Sequence, residues 1–134
     1  RKRSKNSFLL FNDSIKKPML DRSLQAQYPP GSPFKLINAL IGLQEKVITP
    51  ETAFYCHHGY RYGTGAFMKC HCETGYPIEL NTAIYRSCNS YFSNAYRRVI
   101  DKYKKPYDGM NVWNKHVESF GLGKYLNNDL AGSL

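Results

Sequence analysis

Two short patterns in this chain put hydroxyl, amine and amide groups at spacings that acyl-transfer chemistry requires. In Ser32-Pro33-Phe34-Lys35 a hydroxyl stands three residues ahead of an amine, directly after the turn Tyr28-Pro29-Pro30-Gly31. A helix beginning at Pro33, whose missing N–H costs nothing there, would carry Ser32 and Lys35 on one face, and the lysine could take the serine's proton. Ser87-Cys88-Asn89 supplies a second hydroxyl and an amide. On a continuous helix these two side chains would point about 200° apart, so a shared cleft needs a break between helices here. At such a break Ser87 can relay a proton to or from a leaving group, and Asn89 can hold Lys35 and a substrate amide.

Blander roles compete with these. Ser32 reads equally as a helix N-cap, Lys35 as a solvated side chain, and Ser87 to Asn89 as a cap beside a buried Cys88. The bare patterns are also cheap, since Ser14-Ile15-Lys16-Lys17 and Ser4-Lys5-Asn6 repeat them. Context separates the pairs, because only Ser32 precedes a long apolar stretch. A cation in the first turn opposes the helix dipole by about 0.3–1 kcal/mol, a local cost that makes sense if the amine is used. Burial and a nearby positive potential both favour an uncharged amine, the form a general base needs. Helix N–H groups beside the serine would stabilise an alkoxide and donate to an oxyanion.

A third constellation is metal-like. Cys56-His57-His58 and Cys70-His71-Cys72 crowd six ligand-type residues into a short span. Cys56, His58, Cys70 and Cys72 would complete a closed tetrahedral, structural zinc site, with His57 or His71 as substitute for the histidine. In an oxidising compartment a disulfide from Cys56 to Cys70 or Cys72 is the alternative, and free thiols the third. Cys88 is set aside as a packing residue.

The elements that must position these groups follow from pattern. Residues 1–17 read as an irregular lead-in, with Phe8 to Phe11 a short strand or docking segment. Residues 18–47 hold the nucleophile turn and a helix from Pro33 to about Glu45, apolar on almost every side and so expected at the centre of its domain. Residues 48–78 lack clear periodicity and form a loop-rich insert. Residues 79–134 return to helix, broken at Ser87 to Ser90, with Asn89 or Ser90 as cap, and a last helix runs from about Met110 to Phe120.

At 134 residues, 42% hydrophobic and 22% charged, the chain can bury a core and is one domain or part of one. No apolar run reaches the length of a membrane span. The start at Arg1-Lys2-Arg3-Ser4-Lys5, with no methionine, is expected to be a cut end. The net charge of +9 gathers at residues 1–5 and Lys102 to Lys105, which reads as a solvated face rather than a nucleic-acid stripe.

Taken in order, these residues resemble the penicillin-binding transpeptidases, specifically the class B, elongation-type group around penicillin-binding protein 2. The likeness runs through Leu20-Asp21-Arg22-Ser23-Leu24, Tyr28 to Lys35, Ile78-Glu79-Leu80 with Ala83-Ile84, Ser87 to Phe92, Phe120-Gly121-Leu122-Gly123 and Asp129-Leu130. The resemblance implies an α+β domain of the penicillin-binding and serine β-lactamase type, a five-stranded antiparallel sheet flanked by helices, of which this chain gives mainly the helical part. It implies a serine-type D-Ala-D-Ala transpeptidase or carboxypeptidase acting on peptidoglycan stem peptides and acylated by β-lactams. Ser32 would be nucleophile, Lys35 base, Ser87 and Asn89 the second motif, with Tyr28 and Tyr91 touching the cleft. It also implies a parent anchored in the inner membrane, catalytic in the periplasm, and working with the elongation machinery.

Three departures stand out: Pro33 where the family more often has threonine, Asn89 where the subgroup often has aspartate, and no K-[ST]-G anywhere. The family's zinc-holding insert is echoed as well, with Tyr76 in the place of a histidine. Without the third motif the chain is expected to carry half an active site and to be inactive alone. A serine β-lactamase or β-lactam sensor is the alternative within the fold, and a zinc-dependent basic nucleic-acid module the alternative outside it.

Overall fold

The computed structural model describes residues 2–22, 26–73 and 75–123. Ser23, Leu24, Asp129 and Leu130, four of the residues behind the resemblance, lie outside them. The described residues fall into two units, one reaching to Pro29 and the other beginning at Pro30.

In the first unit the lead-in expected to be irregular is helical, α1 over Lys2–Asn12. Its sequence contains no glycine, proline or β-branched residue to oppose a helix. The Asn12 amide closes its end on the Phe8 carbonyl at 2.8 Å. Asp13 Oδ1 then accepts from the N–H groups of Ile15 and Lys16 at 3.1 and 2.9 Å, an Asx turn that reverses the chain. No residue of α1 is buried, and Phe8 to Phe11 are exposed along it.

The second unit holds α2 (Phe34–Gln44), β1 (His57–Tyr62), β2 (Ala66–Glu73), α3 (Leu80–Tyr85), α4 (Asn89–Asp101) and α5 (Pro106–Ser119). Its centre is α4 rather than α2. The face of α4 formed by Ser90, Tyr91, Phe92, Ala95, Val99 and Ile100 is buried, and the helix packs against α2, α3, α5 and both strands. On α2 only Ala39, Ile41 and Gly42 are buried, while Leu36 and Leu40 are half exposed. An all-round apolar helix reports that several surfaces await cover. Among the described residues one face of α2 is covered.

The span expected to be loop-rich contains an antiparallel hairpin. β1 pairs with β2 in register from Gly59–Lys69 to Tyr62–Ala66, with a break between His57 and Gly59. Gly63 and Gly65 take φ of +57° and +102° in the turn. A Cβ on Gly59 would stand 2.3 Å from the Met68 carbonyl oxygen, so only glycine lets the two strands close here. Glycine-rich turn residues at the tip and the histidines at the base obscured the period-two alternation of Tyr60, Tyr62, Phe67 and Lys69.

Two devices fix α2 for the site. At its N-terminal half Trp113 Nε1 donates to Asn38 Oδ1 at 2.9 Å, and the indole packs against Phe34 and Tyr96. At its C-terminus Glu45 Oε2 accepts from Lys102 Nζ at 2.7 Å and Tyr103 Oη at 2.8 Å, while Oε1 lies 2.7 Å from His116 Nε2. One nearly buried carboxylate thereby ties α2 to the residues after α4 and to α5. The α5 helix begins at Pro106, four residues before the expected start, and ends ahead of Gly121, whose φ is +82°. Among the described residues no helix is long and apolar enough to cross a membrane.

Candidate functional site

Ser32 does not cap α2. Pro33 is the N-cap residue, in helical geometry and without a side-chain cap, and Ser32 occupies the turn before it. The turn is drawn tight by the Lys35 N–H donating to the Ser32 carbonyl at 3.0 Å, which leaves the serine hydroxyl for other partners. Lys35 Nζ lies 3.4 Å from Ser32 Oγ on the same helix face.

The second pattern comes from a different place in the chain and meets the first. The break between α3 and α4 falls at Arg86 to Cys88, and Ser87 takes a left-handed φ of +51°, which a residue with a side chain adopts at a cost. Ser87 Oγ donates to Ser32 Oγ at 3.0 Å, and Lys35 Nζ donates to the Ser87 carbonyl at 2.7 Å and to its Oγ at 2.8 Å. Three side chains from two segments thus form a closed hydrogen-bonded triangle. They line a cleft of about 280 Å³ with Pro33, Leu36, Ile84 and Phe92.

Asn89 opens α4 and lines the adjoining hollow with Lys35, Asn38 and Phe92. Its side-chain nitrogen donates to the Lys69 carbonyl at 2.8 Å, pinning the amide to β2. The cap of α4 is neither Asn89 nor Ser90 but Cys88, whose sulfur accepts from the Tyr91 N–H at 3.4 Å.

The two tyrosines expected at the cleft fare differently from that expectation. Tyr91 is fully buried, edge-on to Phe54 and Phe92, with its hydroxyl donating to the Thr52 carbonyl at 3.0 Å. Burial pushes its phenol up to about 12, so it stays a neutral donor. Helical spacing puts Tyr91 on the core face, and its neighbour Phe92 reaches the cleft instead. Tyr28 is exposed and belongs to the first unit.

The sulfur site also differs from the expected ligand set. The Sγ atoms of Cys56, Cys70, Cys72 and Cys88 all lie within 4.8 Å of one another and all four residues are buried. His58 stands outside this group: it is exposed, with φ of +55°, at the irregular base of the hairpin. His57 is exposed as well, stacked on Tyr55, and His71 Nε2 contacts the Arg86 carbonyl at 3.0 Å. Cys88 takes the histidine's place. The signal was present in the sequence as a fourth cysteine, and it was discounted because it sits inside the Ser87–Asn89 pattern.

A tetrahedral ion with metal–sulfur bonds of about 2.3 Å has sulfur–sulfur edges of about 3.8 Å, and Cys70 to Cys88 is 3.8 Å. Cys70 to Cys72 is shorter at 3.2 Å, and no pair is bonded as a disulfide. Burial opposes the thiolate at every member and pushes Cys56, Cys72 and Cys88 up. At Cys70 burial is outweighed by backbone N–H groups of Ser90 and Cys72, helped by the neighbouring Cys72 and Cys56 thiols, which draw it downward. Four buried sulfurs at this spacing offer the kind of donor set that a tetrahedral metal ion takes. The site adjoins the cleft, because Cys88 sits between Ser87 and Asn89 and the Asn89 N–H donates to Cys70 Sγ at 3.2 Å.

Comparisons with known proteins point to one family. The model of the penicillin binding protein transpeptidase domain matches residues 2–134. The peptidoglycan D,D-transpeptidase MrdA of Acinetobacter baumannii is 32% identical over 121 residues, which is 88% of this chain and 16% of that protein. The crystal structure of Pseudomonas aeruginosa PBP2 in complex with WCK 5153 superposes with a TM-score of 0.76 at 27% identity, covering 96% of this chain and 26% of that one. The chain therefore spans about a sixth of the curated relative's length.

Proposed function

The chain belongs to the penicillin-binding protein transpeptidase family, and from that membership we infer that it is part of a peptidoglycan D,D-transpeptidase in which Ser32 is the nucleophile. The observation that carries the reading is the triangle of Ser32, Lys35 and Ser87, closed at 3.4, 3.0 and 2.8 Å, with Ser87 more than fifty positions along the chain from the other two.

The chemistry follows from those distances. As Ser32 Oγ attacks the penultimate D-alanine carbonyl of a stem peptide, its proton leaves to Lys35, directly or through Ser87. Both links of the relay are shorter than the direct contact, and the forward transfer requires both hydroxyls to turn, since in the structure Lys35 donates to Ser87 and Ser87 donates to Ser32. Collapse of the tetrahedral adduct breaks the peptide C–N bond, and the proton passes back through Ser87 to the departing D-alanine amine. An amine of a neighbouring stem then attacks the Ser32 ester, forming the cross-link and returning the proton to Ser32. Asn89, held to β2, orients the stem amide, and the serine's backbone N–H contributes to the oxyanion hole. The chain spans 16% of the curated relative's length, and in this reading the rest of the cleft would come from residues beyond these 134, which alone would not be acylated.

In this reading Cys56, Cys70, Cys72 and Cys88 would hold a structural zinc ion. A zinc ion held by these four residues would stabilise their thiolates in a buried place, and the bond from Cys88 would fix the loop that carries Ser87 and Asn89. The whole protein is anchored in the inner membrane, displays this domain in the periplasm and works with the cell-elongation machinery on stem peptides.

The test is covalent. Full-length protein treated with a fluorescent penicillin should gain one adduct, located by peptide mass spectrometry on Ser32 and abolished by Ser32→Ala. An adduct retained by that variant would remove Ser32 from the mechanism. Rapid stoichiometric labelling of residues 1–134 alone would show the half-site proposal to be mistaken.

A further inference from the structure

Ser87 belongs to a helix ending with a defined hydrogen-bond pattern. Its N–H donates to the Ile84 carbonyl at 3.0 Å, and the Cys88 N–H donates to the Ala83 carbonyl at 2.9 Å. With Ser87 at φ +51°, these are the two crossed bonds of a Schellman motif closing α3. The left-handed residue of that motif is usually glycine, and a serine held there is strained. Its hydroxyl is what glycine could not supply. The motif leaves one group over, the carbonyl of the C-cap residue Arg86.

That oxygen lies 3.0 Å from His71 Nε2. A carbonyl only accepts, so Nε2 carries the proton and donates. Cys72 Sγ is 4.0 Å from the same oxygen, a longer and weaker contact. His71 is exposed, and water could satisfy the carbonyl in its absence. Water could not supply a fixed position, whereas His71 stands on β2. The same strand holds the far side of the break. There the Lys69 carbonyl accepts from Asn89 Nδ2 at 2.8 Å, and Cys70 Sγ accepts from the Asn89 N–H at 3.2 Å. Three consecutive residues of β2 thus grip the chain on both sides of Ser87, and of the three only His71 reaches the entry.

We propose that His71 is a positioning residue for acyl transfer: by holding the Arg86 carbonyl it keeps Ser87 left-handed and its hydroxyl between Ser32 Oγ and Lys35 Nζ. The mechanism is geometric. The Arg86 carbonyl and the Ser87 nitrogen share one rigid peptide plane, so a swing of that plane changes φ of Ser87 directly. The hydroxyl then leaves its place 3.0 Å from Ser32 Oγ and 2.8 Å from Lys35 Nζ. His71 itself touches none of the reacting atoms. The inference rests on the transpeptidase reading and adds to it the group that sets the relay.

The test is a double-mutant cycle in full-length protein. It reads the saturated rate of acylation by a fluorescent penicillin and the concentration that gives half that rate. His71→Ala should lower the saturated rate about three- to tenfold and leave the half-saturating concentration within about twofold. His71→Gln, whose amide nitrogen can reach the same oxygen, should recover most of the loss. In a Ser87→Ala background there is no hydroxyl to place, and His71→Ala should cost less than about twofold. No loss in His71→Ala, a loss that His71→Gln does not recover, or an equal loss in both backgrounds overturns the positioning role. Zinc content should match the wild type in both His71 variants. A loss of metal that tracks the loss of rate would make His71 a ligand and overturn the role as well. A wild type that labels on Ser32 while the His71 variants keep its rate sinks this inference alone. A wild type that does not label sinks the transpeptidase reading and the inference with it.

Discussion

Lys35 holds Ser87 by two atoms, with Nζ 2.7 Å from its carbonyl oxygen and 2.8 Å from its hydroxyl. That grip explains how a residue with a side chain is kept at φ +51°. The left-handed conformation turns the Ser87 carbonyl and hydroxyl toward the same amine, and it costs about 1–2 kcal/mol relative to ordinary backbone. Strain at this position is stored where two sequence motifs meet.

Ser87→Gly separates strain from chemistry. Glycine adopts this φ freely, so the variant should melt within a few degrees of the wild type or slightly above it. It also removes the relay hydroxyl, and penicillin acylation in the full-length protein should fall by about 10²–10⁴. Ser87→Ala should lose as much rate and keep the strain. A glycine variant that acylates normally would eliminate the relay.

The sulfur site makes a prediction that distinguishes the observed set from the expected one. Purified protein should carry one equivalent of zinc by elemental analysis. Cys88→Ser should lose it and lower the melting temperature, whereas His58→Ala should keep it, because His58 stands outside the sulfur cluster. Retained metal in Cys88→Ser together with loss in His58→Ala would restore the ligand set read from spacing. Chelation should also slow acylation, since Cys88 lies between Ser87 and Asn89.

What the sequence exposed and what it hid divide along physical lines. The meeting of Ser32, Lys35 and Ser87 was legible from local signs: a proline ahead of a helix, a cation where the dipole disfavours it, a hydroxyl at a helix break. Cys88 was hidden because two roles overlap in one residue, a helix cap and a sulfur of the cluster. The centrality of α4 was hidden because polar residues such as Arg97, Arg98 and Asn94 dilute its apolar face, while α2 is apolar even where the described residues leave it exposed. The hairpin was hidden by glycines that serve its turn and its close strand approach. Tyr91 was misplaced by one residue of helical phase.

That phase error has its own test. Tyr91→Phe removes one buried hydrogen bond to the Thr52 carbonyl and should cost about 1 kcal/mol, seen as a lower urea midpoint. Penicillin acylation should be unaffected, because the ring faces the core. A variant with normal stability and slowed acylation would move Tyr91 back to the cleft.

The last prediction concerns acid. The Glu45 carboxyl is drawn from 4.5 down to about 2, chiefly by the Lys102 hydrogen bond, then by His116, with Tyr103 adding to them and burial opposing. In the unfolded chain those partners are gone, and the carboxyl binds a proton near its ordinary value. A carboxylate with a depressed folded pKa adds stability that is full above the unfolded value and fades as pH falls through the folded one. The window for this group therefore runs from about pH 4.5 down to about pH 2, and the contribution is on the order of 2 kcal/mol. Urea midpoints measured across that range should drop steeply for the wild type. Glu45→Gln should begin lower at neutral pH, because α2 loses its ionic tie to the residues after α4 and to α5, and should then decline less through the acid window. Parallel curves for the two proteins would mean that the carboxylate's charge contributes nothing, and that its three hydrogen bonds hold α2 equally well when it is neutral.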